Sequence, residues 1–124
     1  MDAAHASSLL RRQIDQHGEP VTLRRIVAGT AHDLALQAFV RGFKADQIAA
    51  GIQQGDRSAV LHPDDVVVAT WLSGVAVLPG ENPDRRVPKK GDKLVVAGRV
   101  CNIEAAEGVY LGTALVRINL VVRG

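Results

Sequence analysis

"TALVRINLVVR", residues 113–123, alternates with a period of two: Ala114, Val116, Ile118, Leu120 and Val122 fall on one side, and Arg117, Asn119 and Arg123 on the other. That is the signature of a β-strand with one face in a core and one in solvent. Working backwards, "RVCNIEAAE" (99–107) and "KLVVAG" (93–98) read as two further strands, joined by a two-residue turn at Ala97-Gly98. "EGVYLG" (107–112) reads as the connection into the last strand.

Three more strands precede these. "EPVTLRRIV" (19–27) alternates Val21 and Leu23 with Thr22 and Arg24, and "LALQAFVRGF" (34–43) sets Leu34, Leu36, Ala38 and Val40 on one face, with "AGTAHD" (28–33) as the turn between them. "RSAVLH" (57–62) is a short strand. "PDDVVVATWL" (63–72) opens as helices open, with proline at the first position and acids in the first turn, and predicts a short helix. Residues 2–16 are helix formers with Leu9, Leu10 and Ile14 on one side, closed by Gly18. The helix is marginal alone and needs either this domain or a neighbour to cover its stripe.

The expectation is one mainly β domain over 1–124, with an N-terminal helix (1–17) and a β domain (19–124). Its six short strands would form a small antiparallel β-barrel or curved sheet with long loops. No repeat and no βαβ rhythm is present.

Composition narrows the function classes. The chain has 124 residues, 47% of them apolar but only 3% aromatic, so the core is aliphatic and a base-stacking surface for single-stranded nucleic acid is not expected. A net charge of +2 does not by itself imply a nucleic-acid partner. One cysteine, Cys101, forms no internal disulfide; it reads as a core residue, and a reducing compartment suits it. Neither a signal-peptide pattern nor an apolar run of membrane-spanning length is seen. Phosphate loop, nucleophile elbow, zincin helix and dinucleotide fingerprint are all absent from the sequence. No cofactor is expected.

Some constellations could carry chemistry. His62, Asp64 and Asp65 are close enough in sequence to suggest a divalent metal, but Pro63 fixes the backbone between them and no second ligand cluster follows. A strand end followed by a helix cap is the simpler reading. Arg24 and Arg25 should point to opposite faces, one of them pairing with Glu19 or Glu104. Trp71 and Tyr110 read as core or interface anchors. The segments 44–56 and 73–92 are long for connections without regular pattern. Ile48 and Ile52 in the first, and Val75, Val77 and Leu78 in the second, are apolar groups that a partner could cover. Arg85, Arg86, Lys89 and Lys90 form a basic run diluted by Glu81, Asp84 and Asp92, which suits the rim of a protein interface.

In order and spacing, "GEPVTLRR" (18–25), "AFVRGF" (38–43), "GDRSAVLHPDD" (55–65), "PKKGDKLVVAGRVCNIEA" (88–105) and "VRINLVVRG" (116–124) resemble the small phage head–tail joining proteins of the neck, related in type to the lambda tail-attachment protein. The resemblance implies a small barrel that assembles as a ring between portal and tail, without catalysis. Its partners would be the portal or a head-completion protein on one side and tail proteins on the other, with DNA passing through the ring. It implies a place in the virion neck after assembly in the bacterial cytoplasm and long loops that order on assembly. The apolar groups in those loops, covered only in a complex, suggest a chain that is largely monomeric in isolation with both loops mobile. The alternatives are a tail-terminator or tail-completion ring, and a small metal-dependent enzyme using His62, Asp64 and Asp65.

Overall fold

The computed structural model of the chain describes residues 2–42 and 56–124. Its elements are α1 (Ala3–His17), β1 (Glu19–Val27), β2 (Thr30–Gly42), β3 (Arg57–Leu61), a 3-10 turn at Pro63–Asp65, a single helical turn α2 (Val68–Trp71), β4 (Lys93–Val96), β5 (Arg99–Leu111) and β6 (Ala114–Arg123). The six strands close into an antiparallel barrel in the order β1-β2-β3-β6-β5-β4, with β4 returning to β1 through the pairs Val21↔Val96 to Arg24↔Lys93. Closure leaves the barrel without a full-length open edge, which suits strands as short as β3 and β4. The segment 44–55, including Ile48 and Ile52, lies outside the described residues.

The interior is aliphatic, as composition requires. Val21, Leu23, Leu34, Leu36, Ala38, Leu61, Leu94, Val96, Ile103, Ile118, Leu120 and Val122 are buried in one cluster, joined by Cys101. Two hairpins turn on residue pairs with positive φ, Ala28-Gly29 and Ala97-Gly98. This is the geometry that a two-residue turn needs to match the strand twist. Consequently the turn expected over 28–33 shrinks to two residues, and β2 starts at Thr30.

The last hairpin departs further from the pattern. The sequence over 107–112 is not a connection: β5 runs on to Leu111, and Gly112-Thr113 makes the turn. The register slips twice, skipping Glu104 between Ile103↔Val122 and Ala105↔Val121, and skipping Val116 between Val109↔Arg117 and Tyr110↔Leu115. Each slip adds one residue and reverses which parity faces inward. So Leu115, not Val116, joins the interior, Ala114 is exposed, and Val116 is buried on the outer side, beside Leu9 and Leu10 of α1.

The N-terminal helix lies on the domain. Leu10 and Ile14 pack on Val60, an outward residue of β3, with Phe39 beside them. Gly18 ends the helix with φ of −78°, donating its N–H to Ile14 O at 2.7 Å. Its glycine is required by close approach, since a β-carbon would sit 2.5 Å from that oxygen. Two polar links fix the helix. His62, 2% exposed, accepts the Asp64 N–H at Nδ1 (3.1 Å), and its Nε2 meets the Ser7 carbonyl (3.1 Å) and hydroxyl (3.0 Å). Arg11 donates two hydrogen bonds to Asp65, at 2.8 and 3.0 Å. The predicted cap is therefore real, but 63–72 forms a 3-10 turn and one helical turn rather than a continuous helix. Among the described residues, no helix is long and apolar enough to cross a membrane.

Ile118→Ala should destabilise the fold by about 2–5 kcal/mol, and Leu115→Ala by a similar amount, whereas Asn119→Ser should cost under about 1 kcal/mol. Urea unfolding checks all three, and insensitivity at Leu115 would contradict the bulge. His62→Ala should cost about 2–4 kcal/mol, because it opens a cavity and strips the Ser7 carbonyl of its donor. Arg11→Ala, at a half-exposed pair, should cost no more than about 1 kcal/mol.

Candidate interaction surface at one end of the barrel

The connection from β3 to β4 must cross the barrel, because those strands lie on different sides of it. It does so over the end at which both long hairpins project. Val66, Trp71, Leu72 and Val87 of this connection are buried in the main core, with Val75 packed against them. Val87 sits over bare backbone in β5: a β-carbon at Gly108 would come within 2.9 Å of its Cγ2.

A buried polar knot anchors the same end. Arg25 follows Val21 and Leu23 on the inward parity of β1 and is 5% exposed. Its Nε and Nη2 donate to Asp92 at 2.8–3.1 Å, and its guanidinium lies over the Trp71 ring, 4.9 Å from the centroid. Asp92 also accepts the Lys89 N–H (3.0 Å), and its carbonyl accepts the Ile103 N–H (2.8 Å). Trp71 Nε1 donates to His32 O at 2.9 Å. Arg24 turns outward to Asp33, at 2.7 and 3.0 Å. The two arginines do point to opposite faces, but their partners are Asp33 and Asp92; neither Glu19 nor Glu104 serves. Glu104, at the bulge, faces Arg123 (3.6 Å), which holds Asp56 at 2.8 and 2.9 Å.

Above the knot lies an open groove of roughly 610 Å³, between the β1–β2 hairpin tip and residues 73–81. Its lining includes Ile26, His32, Val75, Leu78, Glu81 and Lys89. Ile26 (56% exposed), Val77 (50%) and Leu78 (58%) present large apolar groups at this end. The volume is within the range of ligand and peptide sites, but the walls are mostly apolar.

Of the residues singled out in sequence, Val75, Leu78 and Lys89 come together in this groove, and Arg85 lies beside it. Lys89 is paired with Glu81 at 2.7 Å, which holds the Glu81 carboxyl below its usual range. Arg86 turns away to Asp84 (2.8 and 2.9 Å), and Tyr110 O–H donates to the same carboxylate at 3.1 Å. The hydrogen bonds from Arg86 outweigh burial and hold Asp84 below the normal carboxylate range, while burial and the Asp84 contact raise the Tyr110 phenol. Lys90 is exposed. The segment 73–92 is thus held by Arg85 Nη1 on Val75 O (2.7 Å), by these pairs and by Val87. The segment, which lacks regular pattern in sequence, runs over the barrel end and is tied to it by these contacts.

His62, Asp64 and Asp65 do not converge on a common point. His62 binds α1, Asp65 binds Arg11, and Asp64 is exposed. Among the described residues, no group of three His, Cys, Asp or Glu side chains could hold a metal ion. Trp71 is the buried anchor expected from sequence, and Arg25 faces inward with an ion-pair partner as expected, but the partner is Asp92. Sequence reasoning missed that Asp92 and His32 join these two residues.

No protein-family model, curated protein or solved structure matches the chain.

Asp92→Ala should destabilise the protein by about 3–5 kcal/mol, since it strands Arg25 in the interior; thermal or urea unfolding reads it. Asp84 gives a pH test. Its folded pKa is depressed, so its contribution is present above the unfolded carboxylate value, about pH 4, and is lost as pH falls through the lower folded value. Wild type should therefore exceed Asp84→Asn in urea midpoint at neutral pH, with the gap narrowing as pH falls below about 4.

Proposed function

We propose that the protein is a structural, ring-forming component of the neck of a tailed phage or prophage, joining the DNA-filled head to the tail. The observation that carries this reading is the pairing of a closed barrel with two separate apolar surfaces. One is the end groove with Ile26, Val77 and Leu78 exposed around it. The other is a groove of roughly 320 Å³ on the barrel side, between α1 and the β5–β6 hairpin, lined by Ala6, Leu9, Val109 and Leu111 among others. Apolar groups left exposed in this way suit protein partners. An end surface and a side surface suit a ring subunit, which meets one kind of neighbour along the ring axis and copies of itself around it.

The charge arrangement favours the same partners. Arg86 and Lys89 are each matched by a carboxylate of the same segment, and the free edge of Arg85 is buried, which leaves Lys90 as the cation of the run most open to a phosphate backbone. The metal-dependent alternative lacks support, because the His62 and Asp65 side chains are engaged in holding the helix and only Asp64 is exposed to solvent.

Val77→Asp combined with Leu78→Asp should leave a folded domain, because both side chains are already exposed. In the phage that encodes the chain, the same change should yield separate heads and tails, seen by electron microscopy of the lysate. Joined, infectious particles at wild-type yield from a strain lacking this protein altogether would refute the role.

A further inference from the structure

Arg85 differs from the chain's other well-placed arginines. Arg24, Arg25, Arg86 and Arg123 each direct the Nε and Nη2 edge of the guanidinium at a single aspartate, Asp33, Asp92, Asp84 and Asp56 respectively. That edge presents two parallel N–H groups at the spacing of two carboxylate oxygens. In Arg85 both atoms of the edge are buried and have no hydrogen-bond partner among the described residues. The third nitrogen, Nη1, is committed to Val75 O at 2.7 Å, which fixes how the group is presented. A guanidinium cannot shed its charge to escape this situation.

Arg85 lines a small cleft of about 30 Å³ together with Arg25, Glu81, Asn82, Val87, Pro88 and Lys89. The local charge is uneven. Arg25 is matched by Asp92 and Lys89 by Glu81, so Arg85 supplies the uncompensated positive charge. Val87 and Pro88 are buried apolar walls, which strengthen any ion pair formed between them. One water needs roughly 10–15 Å³, so the space suits two oxygens on one carbon better than the four of a phosphate. Because Nε and Nη2 are both buried, the cleft must widen before a carboxylate reaches them. The Lys89–Glu81 pair on the cleft wall involves a half-exposed lysine, and pairs of that kind gain less than a buried charged donor loses by lacking its acceptor.

We infer that the Nε/Nη2 edge of Arg85 is a binding site for a single carboxylate group, admitted to the cleft when the Lys89–Glu81 pair parts. Glu81 is the internal competitor, holding its own negative charge at the wall. The carboxylate comes from a small organic acid or from an acidic side chain of a second copy of the chain. The site does not depend on the neck role proposed above.

Nitrogen–proton spectra of the arginine Nε–H groups test this on the full chain. The Arg85 resonance is identified by its loss in Arg85→Lys, or by through-bond correlation to its own backbone should that variant not fold. Sodium formate, titrated against sodium chloride at matched ionic strength, should move the Arg85 signal saturably where chloride does not. Glu81→Gln should tighten formate binding several-fold, by removing the competitor. In a second arm without formate, a shift that grows with protein concentration would identify the carboxylate as that of another copy. A signal indifferent both to formate and to protein concentration would overturn the inference, as would one that moves only on Glu81→Gln with no formate response. In either case the edge would serve the fold alone.

Discussion

The ion pair between Arg25 and Asp92 holds the rest of the architecture together. Two charges with side chains only 6% and 3% exposed are costly to bury, and their attraction compensates only when the geometry is good and the remaining donors and acceptors are used. Here they are used. Arg25 lies against the Trp71 face, and Asp92 takes an additional N–H from Lys89. The pair joins the end of β1 to the last residue before β4, at the point where β4 pairs with β1 and closes the barrel. The connection that crosses the barrel end, the closure of the sheet and the floor of the end groove all meet at this pair.

A second set of polar contacts has a different task. His62, Ser7, Arg11 and Asp65 do not build the barrel; they set the position of α1 on its outside. The apolar contact there is small, with Leu10, Ile14 and Val60 forming its buried part. A narrow apolar stripe leaves a helix free to slide or rotate, and directed hydrogen bonds at Ser7 and Arg11 remove that freedom. Residues that resembled a chemical site in sequence are thus the fastening of a helix.

Much of the fold was legible because it is written in period two. Leu34, Leu36 and Ala38, or Leu120 and Val122, keep one parity over a whole strand, and the Ala97-Gly98 turn follows from its residue types. Legibility failed where parity breaks. Nothing in "RVCNIEAAEGVYL" announces the extra residue at Glu104, and Gly108 made the strand appear to end at Glu107, four residues short of Leu111. Val116 and Leu115 are both apolar, and alternation alone selects the wrong one for the interior. The end surface was half visible: Val75, Leu78 and Lys89 stood out as apolar or basic groups in a segment without pattern. Their fastening did not, because it depends on Arg25, Gly108 and Asp92, which are distant in sequence and meet only once the barrel exists.

The strand order also bears on how the chain reaches this state. β1 is completed by β4, and β3 by β6, so the surfaces made first wait for strands made last. The helix is the clearest case. It leaves the ribosome before any strand, yet its seat needs Val60, His62 and Asp65, and its flank lies beside Val116 near the end of the sequence. During synthesis α1 therefore has no complete seat: Val60 of β3 can meet Leu10 and Ile14 earlier, but Val116 on its flank comes only with β6. Pairings this distant are slow to form because the loops between them must be closed first. The barrel consequently cannot close before β6 is made, and the helix that precedes every strand cannot complete its seat before then.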